Sequence, residues 1–148
     1  MFRHILLPTD GSKLAAKGVR AGARLAKALR ARVTAVYVIP RYIPPVFPEA
    51  AVYVPEISLE QYNRLMKKEA AKALGVVEAE ARTAGVSCTT ATSTDHQAWQ
   101  GILRVARAKK CDAIVMASHG RGGVGGLLLG SETARVLAHS KIPVLVLR

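Results

Sequence analysis

The residues best suited to chemistry lie in one stretch, residues 115–131, which reads VMASHGRGGVGGLLLGS. Six of the eleven residues 120–130 are glycine, half of the chain's twelve. Glycine loses more backbone freedom on folding than any other residue, so such a cluster serves close backbone approach or positive φ. To its left, the apolar run 113–117 reads as a buried strand; to its right, Ser131 and Glu132 open a segment with helical spacing. A strand, a glycine-rich loop and a helix N-terminus together present outward N–H groups and the positive end of a helix dipole. That is the chemistry of phosphate binding.

Two nucleotide templates fail here. No Gly-Lys-Ser or Gly-Lys-Thr occurs anywhere, so there is no Walker loop. Gly120, Gly122 and Gly125 do spell G-x-G-x-x-G. That motif belongs after the first strand and ahead of an acidic residue, whereas here it follows the fourth apolar run and no acid follows Glu132. His119 has no identifiable acid partner and reads as a loop histidine without chemistry. Cys88 and Cys111 lie far apart with no paired histidines, which gives neither a zinc site nor a disulfide framework.

Elements alternate along the rest of the chain. Residues 3–8 are a buried strand ended by Pro8-Thr9-Asp10-Gly11, where Thr9, Asp10 and Ser12 are all able to cap a helix over residues 12–30. Gly18 and Gly22 on that helix's apolar face predict close packing. Residues 32–39 are a second strand, and Pro40 is expected to end it. Residues 41–57 carry four prolines and read as a long loop of the kind used for lids and binding segments. Ser58 and Gln61 form a capping box for a helix that Gly85 stops. Residues 86–94 are a polar strand suited to a sheet edge, and Asp95 is expected to cap a helix over residues 96–109. Residues 112–117 are the fourth strand, 131–140 the fourth helix, and Pro143 opens a last apolar strand that ends at Leu147.

This βαβαβαβαβ alternation predicts an α/β fold: a flavodoxin-like, doubly wound, five-stranded parallel sheet in a three-layer α/β/α sandwich, with strand order 3-2-1-4-5 and one domain over residues 1–148. Strands 1 and 4 then flank the switch point, beyond whose C-terminal ends ligands bind. The residues delivered there are Pro8, Thr9 and Asp10 from one strand and Ala117 onward from the other. Two stretches that are unusual independently converge on one crevice.

Composition bounds the setting. Half the residues are hydrophobic, with 22 Lys+Arg against 10 Asp+Glu, a formal charge of +12. No apolar run approaches the roughly 20 residues that span a bilayer, and no signal peptide is recognisable at the start, so membrane insertion is not expected and a cytoplasmic protein is. The positive charge attracts anionic partners. No basic–aromatic interleaving or nucleic-acid motif accompanies it, so sequence-specific nucleic-acid binding is not expected.

Ala117-Ser118-His119-Gly120, nine residues, then Gly130-Ser131 resembles the G-x-x-G-(nine residues)-G-[ST] nucleotide motif of the universal stress protein family. The resemblance extends to residues 5–12 (ILLPTDGS), to the strand end at residues 36–38 (VYV), to residues 112–116 and to residues 142–146. It departs at Ala117, which stands where the motif has its first glycine. The resemblance implies an adenine-nucleotide α-hydrolase-like fold and ATP as ligand. Asp10 would contact the adenine or ribose end, Pro8 and Thr9 would shape its pocket, and Val38 would offer backbone hydrogen bonds to adenine. Ser118, His119, Gly120, Arg121, Gly122 and Gly123 would wrap the phosphates, with Gly130, Ser131, Glu132 and Thr133 completing the site. Mg2+ or Mn2+ would enter through the phosphates. The resemblance also implies a homodimer, and an apolar edge strand at residues 143–147 invites such pairing.

Asp10 lies at the wrong end of a bound nucleotide to act on the γ-phosphate, and no other carboxylate is aimed there. The expectation is a nucleotide-binding module or switch in the stress response, with at most slow hydrolysis or autophosphorylation. The alternative is a member of the family that binds no nucleotide and acts as a dimeric interaction protein through its basic surface.

Overall fold

The computed structural model describes residues 1–43, 57–118 and 130–147. Five strands and four helices alternate: β1 (His4–Pro8), α1 (Lys13–Leu29), β2 (Arg32–Pro40), α2 (Leu59–Ala84), β3 (Cys88–Asp95), α3 (Ala98–Ala108), β4 (Ala113–Ala117), α4 (Ser131–His139) and β5 (Val144–Leu147). The strands form one parallel sheet in the order β3-β2-β1-β4-β5, as the alternation requires.

Period-two alternation divides the core between the two faces of the sheet. Ile5, Leu7, Val33, Ala35 and Val115 face α1 and α2, packing on Val19, Ala26, Ala73 and Val77. Leu6, Val36, Ile114 and Met116 face α3 and α4, packing on Ile102, Val105 and Val136. The glycines of α1 allow a close approach to the sheet. A Cβ on Gly22 would lie 2.4 Å from Leu7 Cδ2, and one on Gly18 3.0 Å from the Ala117 nitrogen.

Local signals set the helix starts. Ser12 caps α1, its Oγ accepting from the Ala15 N–H at 3.0 Å. Ser58 and Gln61 complete the capping box of α2, and Gly85 ends that helix in the left-handed region at φ 72°. Two boundaries differ from the sequence reading. Pro40 is the last residue of β2 rather than its terminator, since on the side where its N–H would have pointed β1 has already ended. Asp95 does not cap α3. It is the buried last residue of β3, held by Arg104 at 2.7 Å and by the Ser93 hydroxyl at 3.2 Å, while α3 starts three residues later.

Candidate functional site

The C-terminal ends of β1, β2 and β4 and the start of α4 enclose a crevice of about 390 Å³, a size typical of small-molecule sites. It is lined by Pro8, Thr9, Asp10, Val38, Ala117, Gly130, Ser131, Glu132 and Thr133, all named from the sequence. His119, Gly120, Arg121, Gly122 and Gly123 lie outside the described residues. Ser118 is buried at the end of β4, where its N–H reaches Leu147 O at 2.7 Å and its carbonyl takes the Gly130 N–H at 2.7 Å. That second bond closes the base of the glycine segment, bringing the residues before and after it to one point.

Each wall has a physical reason for its position. After β1 the chain turns tightly: Thr9 Oγ1 accepts from the Gly11 N–H, Asp10 Oδ1 accepts from the Ser12 N–H at 2.9 Å, and Gly11 sits at φ 78°, a conformation glycine adopts without strain. Capping falls to Ser12, so the Asp10 carboxylate stays at the crevice as part of the turn. On β2, Val33 donates to Ser87 on the β3 side, whereas Val36 O accepts from Thr9 on the β1 side. A parallel ladder alternates in this way, so Val38 turns its N–H and C=O toward β1, above the point where β1 ends. The backbone of Val38 therefore addresses the crevice while its side chain packs over Gly101.

Ala117 is an ordinary extended strand residue. Among the described non-glycine residues only Arg30 and Lys110 have positive φ, so this position has no conformational need for glycine. Its methyl points toward α1, where Gly18 leaves room: a Cβ there would lie 3.4 Å from Ala117 Cβ.

The α4 start is bolted to its neighbours. Thr133 is buried, and its hydroxyl donates to Ala117 O at 3.1 Å. Glu132 Oε2 accepts from the Trp99 N–H at 2.7 Å, serving the open N-terminus of α3, and its Oε1 accepts from Arg135 at 3.1 Å. Trp99 in turn stacks on His139, ring centroids 4.4 Å apart. Ser131 is exposed at the first turn of α4, and the N-cap Gly130 has no side chain to satisfy the helix's leading N–H groups.

Several lining residues were not named from the sequence. Val36, Ala98, Ile102 and Met116 make an apolar side between β2, β4 and α3, and Ala15 lies across from them. Their only sequence signal is membership of buried stripes, which does not distinguish a pocket wall from the core. Beyond the end of β2 the residues flanking the proline-rich segment are tied together. Tyr42 donates to Ile57 O and Tyr62 to Pro40 O, both at 2.7 Å, with the two rings 5.1 Å apart. Among the described residues no three His, Cys, Asp or Glu side chains are grouped to hold a metal ion.

Strand order and crevice define a doubly wound parallel α/β protein with a pocket at its switch point. The model of the universal stress protein family matches residues 1–148, and the chain belongs to that family. It is 33% identical to a universal stress protein of Methanocaldococcus jannaschii over all of this chain and 83% of that one. It is 32% identical to the universal stress protein YxiE of Bacillus subtilis over the full length of both. Among solved structures, the universal stress protein UspA from Lactobacillus plantarum superposes with a TM-score of 0.77 at 24% identity, covering 99% of this chain and 98% of that one. Two further structures of the same fold are complexes. A universal stress protein with cAMP has TM-score 0.68 at 20% identity, covering 99% of this chain and 97% of that one. An Archaeoglobus fulgidus universal stress protein with dAMP has TM-score 0.68 at 17% identity, covering 100% of this chain and 98% of that one.

Proposed function

We propose that this protein binds an adenine nucleotide, ATP in the first instance, in the switch-point crevice and works as a nucleotide-dependent binding module of the stress response. The observation that carries the reading is the pairing of two chemistries in one cleft. An apolar slot with the outward-turned backbone of Val38 suits a purine, and the α4 N-terminus with the Ser131 hydroxyl suits a phosphate. Asp10, which lines the same crevice, suits ribose hydroxyls. Relatives of this fold bind cAMP and dAMP, which supports the adenine half of the assignment.

The described donors fit phosphate oxygens and include no carboxylate cage, so Mg2+ or Mn2+ would be carried by the phosphates. What the chain contributes is positioning. No described carboxylate in the crevice is placed as a base at the phosphate end, because Asp10 is bound into its turn and Glu132 serves the start of α3. Turnover of ATP should stay below about one per minute. Mass spectrometry of the purified, denatured protein tests the assignment. Release of a stoichiometric adenine nucleotide, or its uptake after incubation with MgATP, is the expected result; no uptake at millimolar MgATP sinks it.

A further inference from the structure

The end of the sheet opposite the crevice carries a different chemistry. There β1, β2 and β4 begin and α1 and α3 end, and the turns between them place Arg3, Arg30, Arg32, Arg107, Lys109 and Lys110 together, all exposed. Hydrogen bonds fix the juxtaposition. The Arg32 N–H donates to Arg3 O at 3.0 Å, the Asp112 N–H to His4 O at 2.9 Å, and the Lys110 N–H to Arg107 O at 3.1 Å. Asp112 is the one acid among residues 1–4, 30–33 and 107–113. Its carboxylate is taken by the backbone N–H groups of Arg3 and His4, at 2.7 and 3.0 Å. None of the six cations has an ion-pair partner among the described residues.

Helix dipoles account for part of this. A cation at the end of α1 and another at the end of α3 complement the negative termini there. Arg3 and Arg32 stand at strand starts and cap neither helix. Arg30 and Lys110 hold left-handed φ of 55° and 53°, positions where glycine or asparagine is the easier residue. Four of the six cations are arginines, whose planar forks grip phosphodiester oxygens in pairs. Phe2 lies immediately before Arg3 and is 36% exposed. Its exposed ring offers a surface on which an unpaired base can stack.

From this grouping we infer that the strand-start pole is a second binding surface, one that holds single-stranded nucleic acid by its phosphate backbone without reading sequence. The pole lies across the sheet from the crevice, so the two sites are separate and the inference does not rest on nucleotide binding.

The test is fluorescence anisotropy with a labelled single-stranded oligouridylate between about 50 and 200 mM KCl, with the log of affinity plotted against the log of salt. Six phosphate contacts predict a slope of about −4 for a single strand. The triple variant Arg32→Gln, Arg107→Gln, Lys110→Asn should bring the slope to about −2 and weaken binding at least tenfold. A control with the same charge change elsewhere, Lys17→Gln, Lys67→Gln, Lys68→Gln, should change affinity less than about threefold. Phe2→Ala should weaken binding a few-fold and leave the slope unchanged. Should the triple variant fail to fold, Arg32→Gln and Lys110→Asn alone should each remove about 0.7 from the slope. Equal losses in the two triple variants would mean that only the overall charge acts, and would overturn the inference. So would absent oligonucleotide binding, or pole-dependent binding confined to vesicles of phosphatidylglycerol in phosphatidylcholine.

Discussion

At the scale of single residues, the crevice depends on side chains already engaged with the protein and on one that is presented outward. Glu132 and Thr133 hold α4 against α3 and β4, while Ser131 stands exposed at the helix start. Ser131→Asp therefore puts a carboxylate where phosphate is expected, without removing a structural bond. Calorimetric titration should show ATP weakened at least tenfold, about 1.4 kcal/mol, and adenosine little changed; equal loss of both would mean the helix start does not meet the phosphates. His4 bears on stability. It is buried, with Nε2 2.8 Å from the Thr34 hydroxyl. Burial lowers its pKa below the ordinary 6.5, and the positive charge of Arg32 acts in the same direction, partly opposed by Asp112. A histidine that resists protonation when folded stabilises the fold fully above pH 6.5. The stability is lost as pH falls from there toward the folded value, because the unfolded chain binds the proton first. The melting temperature should drop as pH falls below 6.5, with a shallower drop in His4→Gln; parallel profiles would exonerate His4.

At the scale of elements, spacing in the chain was enough to read the strand order, the capping box of α2 and the two strand ends that form the crevice, while for α1 it offered Thr9, Asp10 and Ser12 and the fold uses Ser12. Those features follow from local rules: period-two burial, serine caps and glycine at a left-handed position. The start of α3 was not legible, because Asp95 has the chemistry of a cap and its burial beside Arg104 is a tertiary event. Nor was the apolar wall of Ile102 and Met116, since residues of one buried stripe look alike until the sheet leaves a gap above some of them. Room for the methyl of Ala117, which stands where the family motif has glycine, was not legible either, because Gly18 on another element leaves it. Two glycines separate packing from propensity. A Cβ on Gly101 would lie 2.7 and 2.8 Å from the two methyls of Val38, whose β-branched side chain cannot easily turn away. Gly101→Ala should cost about 1–3 kcal/mol and push α3 off the crevice. A Cβ on Gly75, on the exposed side of α2, meets nothing within 4 Å, so Gly75→Ala should gain up to about 1 kcal/mol from helix propensity. Denaturant unfolding checks both, and the opposite order of stabilities would contradict the packing described.

At the scale of the whole molecule, β5 is an edge strand with its neighbour on one side only. Pro143 O accepts from Ile114 and Leu147 O from Ser118, so odd-numbered residues bond inward and Val144 and Val146 turn their N–H and C=O groups to the open edge. Leu145 is 46% exposed, and such an edge favours pairing with a second copy. Light scattering should find a dimer at micromolar concentration. Val146→Pro, which removes an outward N–H and no bond to β4, should give a folded monomer; a wild-type monomer would refute edge pairing.

The crevice itself is most directly tested by following backbone amide resonances while ATP is added. The amides of Thr9, Asp10, Gly11, Val38, Ser131 and Glu132 should shift together, saturably and with one dissociation constant. Resonances of Arg3, Arg32 and Lys110 at the far end of the sheet should stay in place. Saturable shifts confined to that far end, or none at the crevice at millimolar ATP, would contradict nucleotide binding at the switch point.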